Sequence, residues 1–454
     1  MASVTGTSEE SPPTTIPASR VPPMAWWVLI VAMMFYAMSI VDRQIITLLV
    51  EQIKADLGLS DTQMSLILGP AFYLSFSLFG LPAGWVADRV SRRLVLYLGV
   101  TIWSISAAGS GLAGGFLLLF LCRAGVGAGE SVLSPASYSL LADHFPRNRL
   151  AFAIGIYQSS LKLGTAIAFG LGAYLIHVAG DLTRDTSWLN QLETWQLVLI
   201  LTGAPGVLLA PLIFTVTETS QKRPVAERVD DRGLWTFVRS HAKVLLLLSL
   251  GFGCISATSG ALTSWTPAYM ERHFGWLPTQ SGPWLGALSL VTAAALIFKG
   301  GVMDWFYNRG MRDVHVRLYH WLTLGAFPFV VVIFMIPSPE IFLVVYGILQ
   351  ILTLTFMGFL APALQILTPH HLRGQVVALF LLVFAVFGSI GPVFVGMITD
   401  YVLKDELRLG TSMSIVVTTF ILANIILLRL ALSRLHPLLS AAGEAQPQSA
   451  PPKS

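Results

Sequence analysis

Charge is scarce in this chain of 454 residues. Asp, Glu, Lys and Arg together make up 11%, against roughly 25% in a soluble globular domain. Cysteine is scarcer still. The two cysteines, Cys122 and Cys254, both fall in apolar stretches, which argues against a disulfide framework. The apolar stretches hold no Ser/His/Asp set for nucleophilic catalysis. His370 and His371 lack carboxylate or cysteine neighbours at metal-ligand spacing. No enzyme, metal or cofactor is therefore expected. Residues 1–24 are rich in Ser, Thr and Pro and lack the apolar core of a cleaved signal peptide.

Long apolar runs fill the rest. The chain is 54% apolar with a mean hydropathy of +0.71. Runs long enough to cross a hydrocarbon core of about 30 Å recur along its length. Twelve are expected, near 25–50, 62–86, 94–114, 116–142, 150–178, 194–215, 243–272, 282–303, 318–336, 340–367, 374–402 and 412–434. The fold class is all-α and integral to the membrane. Of the 28 Lys and Arg, five fall on one side of this topology (Lys54, Arg184, Arg272, Lys404, Arg408). Four lie within spans (Arg43, Arg123, Lys162, Lys299), and the rest lie on the side of the termini. Basic residues concentrate on the cytoplasmic side, so both termini are expected inside the cell inner membrane. The net charge of +4 reflects topology and does not point to nucleic acid.

The segment Glu218–His241 is the longest polar interior stretch and divides the spans six and six. Within it, Leu234 to Val238 reads as a short amphipathic helix lying on the membrane. The expected organisation is a disordered tail (1–24), a six-helix bundle (25–217), a linker (218–241), a second six-helix bundle (242–436) and a disordered tail (437–454). The halves echo each other. Gly84, Asp88 and Arg93 recur at one offset as Gly300, Asp304 and Arg309. Arg149, Gly164 and Gly172 recur at a similar offset as Arg373, Gly388 and Gly396. Repeated halves place a substrate site at their interface near the bilayer midplane, with transport by rocking one half against the other.

Five ionisable residues sit inside spans of the first half: Asp42, Arg43, Arg123, Glu130 and Lys162. A charge at the bilayer centre costs about 2.5–3.5 kcal/mol even on lenient scales, so it is kept where it faces a polar interior. Arg123 and Glu130 share a face of span four about two turns apart. Gly125, Gly127 and Gly129 thin the helix beside them. By depth along the spans, Asp42 pairs with Arg123, and Glu130 lies deeper with Lys162 as its nearest partner. Plainer readings exist for each: Arg43 snorkelling to the surface, Asp42–Arg123 as a structural gate, Lys162 as a neutraliser of Glu130. Lys299, beside Gly300 at a helix end, reads as a snorkelling interface residue.

The loop after span two reads Gly84-Trp85-Val86-Ala87-Asp88-Arg89-Val90-Ser91-Arg92-Arg93. It resembles the signature loop of the major facilitator superfamily, with Ser91 in place of its second glycine. The resemblance implies that Gly84, Asp88, Arg89, Arg92 and Arg93 form a conformational latch. Asp88 would engage the region of Arg373 and Gly374, and Arg149 lies in the matching loop of the first half. The Asp42-Arg43 pair, the run Arg123-Ala124-Gly125-Val126-Gly127-Ala128-Gly129-Glu130 and the stretch Asp143-His144-Phe145-Pro146-Arg147-Asn148-Arg149 together resemble the spinster family. That resemblance, over residues 35–175, implies a proton-linked carrier of lipids or amphiphiles with Asp42, Arg43, Arg123 and Glu130 as its key polar residues. Lys162 is outside the pattern.

A carboxylate in a low-dielectric cavity is pushed toward its neutral form by desolvation and toward its charged form by a nearby cation. Asp42 and Glu130 are therefore the candidates for proton coupling. Arg43, Arg123 and Lys162 are the candidates for gripping an anionic head group, Arg by a bidentate contact. The second half offers a weakly polar wall, and Trp265 in the middle of span seven is a candidate to line it. Trp26, Trp27, Trp188, Trp195, Trp276 and Trp284 fit an interfacial belt. A charged wall facing an apolar one suits an amphiphile. The expected protein is a monomeric, proton-coupled secondary transporter of an anionic lysolipid or sphingoid phosphate. The alternatives are a drug exporter, an organic-acid carrier or a non-transporting membrane sensor or scaffold.

Overall fold

The structure, a computed structural model, describes residues 21–87, 89–187, 189–218, 231–311, 313–353, 356–369 and 372–444. Among the described residues, twelve helices are long and apolar enough to cross a bilayer: Pro23–Leu48, Asp61–Gly80, Arg92–Ser110, Phe116–His144, Asn148–Asp185, Thr194–Thr215, Ala242–Phe274, Pro278–Asn308, Val314–Met335, Pro339–Leu360, Gln375–Leu403 and Glu406–Leu435. They are called spans one to twelve. Each overlaps a run expected from the sequence. Large apolar side chains such as Leu78, Leu208, Phe298 and Val344 lie exposed on their outer faces. In water that surface would be an aggregation hazard; in a membrane it meets lipid.

An even number of crossings puts the two ends of the chain on one face, here the terminal face, and the first loop on the far face. The helix Asp231–Ser240 lies at the terminal face between the halves, with Trp235 exposed and Phe237 buried. It covers the stretch where an amphipathic helix was expected. The last helix runs on to Glu444, past His436, where the tail was expected to begin. Asp88, Trp188, His370 and His371 lie outside the described residues.

Several spans are broken where the sequence removes a donor or a side chain. Span two stops at Leu68 and restarts at Pro70, which has no N–H to give. Gly69 marks the join because a Cβ there would lie 2.6 Å from the Ser389 carbonyl oxygen in span eleven. Span four breaks between Glu130 and Leu133. Pro135 cannot donate to the Ser131 carbonyl, so the ladder is interrupted there. Span ten is described as the helices Pro339–Thr353 and Met357–Leu367.

The halves are fastened at the far face. Arg272, at the end of span seven, reaches across to Glu51 (2.8 Å) and Asp61 (2.7 Å). Lys54 pairs with Asp61 and, at 3.1 Å, with Glu406. Asp400 accepts from the backbone N–H of Asp61 (3.3 Å) and of Thr62 (2.7 Å). Those N–H groups are first-turn donors of the helix Asp61–Leu68, where an anion is favoured. Deeper in, the Ser65 hydroxyl donates to the Pro392 carbonyl at 2.8 Å. Spans five and eight close beside this cluster. A Cβ on Gly282 would lie 2.6 Å from the Phe169 carbonyl oxygen, and one on Gly286 3.0 Å from that of Ala166.

Candidate functional site

Span one climbs from the terminal face and span four descends from the far face. Helical side chains lean toward their own N-terminus. Arg43 therefore leans back toward the terminal face, and Glu130 leans up toward the far face. They meet. The Arg43 guanidinium and the Glu130 carboxylate are ion-paired. Glu130 is buried, whereas the Arg43 side chain keeps 22% of its surface. Depth along the axis alone had matched Glu130 to Lys162. The structure replaces Lys162 by Arg43, because the lean of two antiparallel helices closes the axial gap.

Asp42 and Arg123 are neighbours, but not through the expected carboxylate contact. Arg123 Nη1 donates to the backbone carbonyl oxygen of Asp42 at 3.1 Å. Both residues are buried, at 3% and 2% exposure. Neither carboxylate oxygen of Asp42 has a hydrogen-bond partner among the described residues, nor do Glu130 Oε1, Arg43 Nε or Arg123 Nε. The indole of Trp103, fully buried, sits beside Asp42.

Phe72 of span two packs between the two arginines. Its ring centre is 4.2 Å from the Arg43 guanidinium carbon and 5.8 Å from that of Arg123. A cation over a ring face gains about 0.5–2 kcal/mol, more when dry. Tyr36, Tyr138 and Tyr157 line the neighbouring side, with Tyr36 stacked on Tyr157 at 4.9 Å and Tyr138 edge-on to it at 5.5 Å. The sequence reading missed this tyrosine group. Tyr36 lies on the face of span one that also carries Ser39 and Arg43, and that helical spacing was the available signal.

The glycines of span four do what thinning predicts. A Cβ on Gly125 would lie 2.4 Å from Ser106 Oγ, one on Gly127 2.4 Å from the Phe72 carbonyl oxygen and one on Gly129 2.6 Å from the Trp103 nitrogen. Spans two and three reach the charged residues only because these three positions carry no side chain.

Lys162 is half-buried and makes no hydrogen bond or ion pair to a described residue. It is not bonded to Glu130. Lys299 does not snorkel. It is 8% exposed, and its ammonium donates to the Ile351 carbonyl oxygen of the helix Pro339–Thr353. The charge of the second half was missed because a lysine near a span end looks the same in sequence whichever way it turns. Trp265 is fully enclosed, its indole N–H on the Pro392 carbonyl at 3.2 Å. In this state it packs spans seven and eleven together and does not line an opening. Trp195 departs from the expected belt. It is buried and donates to Asp56 Oδ2 at 3.0 Å.

The signature loop ties the first half to itself at the terminal face. Arg92 pairs with Asp143 at the end of span four. Glu218 accepts from the Ser91 hydroxyl (2.5 Å), the Arg92 backbone N–H (2.8 Å) and Arg93 Nε (3.3 Å). Burial pushes the Glu218 carboxyl up, but these donors outweigh it and hold it below the usual carboxylate value. Arg89 and Arg149 are exposed. Gly84 lies in the helix Pro70–Ala87, and Arg373 opens the helix Arg373–Met397. In the second copy, Trp305 follows Asp304 where Arg89 follows Asp88, and Arg309 stacks on it at 3.6 Å.

Known proteins bear on this arrangement. The Major Facilitator Superfamily profile matches residues 26–392. An MFS-type efflux pump of Mycolicibacterium smegmatis is 28% identical over 91% of this chain and 94% of its own length. Human protein spinster homolog 1 is 27% identical over 54% of this chain and 46% of its own. A probable L-galactonate transporter of Escherichia coli is 25% identical over 63% of each. The crystal structure of a bacterial homolog to the human lysosomal transporter spinster, inward-facing and unoccupied, superposes with a TM-score of 0.75 at 24% identity, covering 94% of this chain and 99% of that one. A twelve-span fold with a broken, glycine-lined span four and a profile match over most of its length has one assignment: the chain belongs to the Major Facilitator Superfamily.

Proposed function

We propose that this transporter moves an anionic, lipid-like amphiphile of the lysolipid or sphingoid phosphate type by alternating access, coupled to protons. The observation that carries the reading is the Arg43–Glu130 pair at the break of span four, closed on the Glu130 side and open on the Arg43 side. Arg43 needs one anion to neutralise it. Glu130 supplies that anion when ionised, and the cargo supplies it when Glu130 is protonated. Proton and cargo then favour each other's binding by the same factor. Asp42, buried beside Arg123 with no bonded partner for its carboxylate oxygens, is the second proton site. Phe72 and the tyrosine group give the cargo aromatic surface next to the cations.

The terminal face is assigned to the cytoplasm on the distribution of Lys and Arg. The far-face cluster of Arg272, Asp61, Lys54 and Glu51 then closes the outer gate, and the state is open to the inside. The signature loop acts as a latch with Arg373 when the inner gate closes. A monomer suffices for this cycle.

A second reading, a small polyhydroxy acid as cargo, is favoured by the likeness to the L-galactonate transporter of Escherichia coli. Flux into proteoliposomes under a proton gradient separates the two. Lysolipids and sphingoid phosphates, galactonate and cationic drugs are offered in turn. Gradient-driven uptake of the anionic amphiphiles is expected. Uptake of galactonate alone, of drugs alone or of none overturns the proposal, the last in favour of a sensor or scaffold.

A further inference from the structure

The second half contributes a cation. Span five meets span eight along one stripe. Phe169, Ala166 and Gly170 carry the atoms that approach Gly282 and Gly286, and Lys162 lies on the same stripe one turn nearer the terminal face. Spans five and eight are antiparallel, so Lys162 leans toward the terminal face and Lys299 leans toward the far face. That lean carries the two ammonium groups toward each other. Lys299 is steadied from behind. The helix Pro339–Thr353 lies behind it. Lys299 takes the carbonyl of Ile351, Tyr319 takes that of Thr353 at 2.6 Å, and the Phe359 ring lies 5.8 Å from the ammonium.

We propose that Lys162 and Lys299, one from each half, form a two-jawed anion site, and that it selects a dianionic phosphate monoester over singly charged head groups. This deepens the proposed function and rests on the reading that the cargo is an anion. Two like charges on opposite walls oppose closure of the halves at their level. A dianion placed between them reverses the sign of that interaction. Lysine serves phosphate as a point charge and charge-assisted donor, and a phosphate monoester carries about −1.5 to −2 at neutral pH. The head group then bridges the halves, where the sequence reading had assigned it to the wall of the first half alone. Cargo binding and movement of the halves become one event.

The test uses the full-length protein purified in detergent, with the melting temperature read against inorganic phosphate and against chloride at matched ionic strength. Oleoyl lysophosphatidate, a monoester, and oleoyl lysophosphatidylglycerol, a diester, are titrated alongside. Phosphate is expected to raise the melting temperature, and the monoester is expected to bind at least about tenfold tighter than the diester, the gap one charge-assisted contact provides. Lys162→Gln and Lys299→Gln each remove both effects, whereas Lys162→Arg retains them. Should Lys299→Gln fail to fold for want of its carbonyl contact, Lys162→Gln and Lys299→Arg decide the matter. An unchanged monoester preference in Lys162→Gln, or no phosphate effect in the parent protein, overturns the inference. Phosphate stabilisation lost in the variants, with no lysolipid bound, leaves this site standing and removes the amphiphile reading instead.

Discussion

Arg43 and Glu130 are ion-paired across spans one and four, where the helix of span four gives out. The pair links a partly exposed cation to a buried carboxylate, so protonation of the second changes what the first can hold. Replacing Glu130 by Gln keeps the shape and removes the charge. Breaking one side of a buried pair costs about 3–5 kcal/mol. Here the loss should sit at the low end, because Arg43 retains contact with water. Anion affinity in Glu130→Gln is expected to lose its rise toward acid pH and to stay near the level the parent reaches when protonated. Titration of binding between pH 5 and 8 checks this, and a parent-like pH profile in the variant removes Glu130 from the coupling.

The far-face cluster ties the two halves together. Asp61 is fully buried and holds both Arg272 and Lys54. Asp61→Asn removes the anion that the two cations share, leaving Arg272 with Glu51 and Lys54 with Glu406, and a loss of about 1.5–3 kcal/mol shifts a two-state balance roughly tenfold to a hundredfold. Spin labels at Leu112 and Leu407, exposed on the far face of either half, should report a new long-distance population. An unaltered distance distribution would show that the cluster does not hold the gate.

Gly127→Ala tests the close approach of spans two and four. The new methyl would meet the Phe72 carbonyl oxygen at 2.4 Å, and overpacking costs about 1–3 kcal/mol. The melting temperature should fall by several degrees. Gly155→Ala, with open space around it, should be neutral or slightly stabilising through helix propensity. Equal behaviour of the two would contradict the packing argument.

The signature loop has its own pH dependence. Glu218 is held below the usual carboxylate value by Ser91, Arg92 and Arg93. Its folded-state value is the lower of the two, so its contribution is present above the ordinary glutamate range. It is lost as pH falls through the lowered value. Glu218→Gln should therefore be less stable than the parent at pH 7, with the gap closing in acid. Melting curves at several pH values decide it; a gap constant with pH would assign the contribution to shape alone.

The fold was legible because its signal is long and repeated. Each span is a run of apolar residues about twenty or more residues long, and local ambiguity shifts its ends by no more than about two turns. The four charges at spans one and four were legible because lipid penalises charge, so each one announces a polar interior. Their pairing was not. Depth along an axis assigns Cα positions, whereas Arg43 and Glu130 meet through the lean of side chains on antiparallel helices. Lys299 was misread for a related reason: its ammonium turns to the Ile351 carbonyl of a neighbouring span, a contact that position along its own span does not reveal. The far-face cluster drew no attention because Glu51, Asp61, Arg272 and Asp400 look like ordinary loop charges until the halves are laid side by side.

The most direct measurement follows protons and cargo together. Proteoliposomes carrying the purified protein are loaded with a pH-sensitive dye, an anionic lysolipid is added, and lumenal pH and lysolipid uptake are read in the same sample. Lumenal pH is expected to move with uptake in the parent protein and to stay flat in the Asp42→Asn/Glu130→Gln variant. Lysolipid uptake with no accompanying proton movement in the parent would contradict the account.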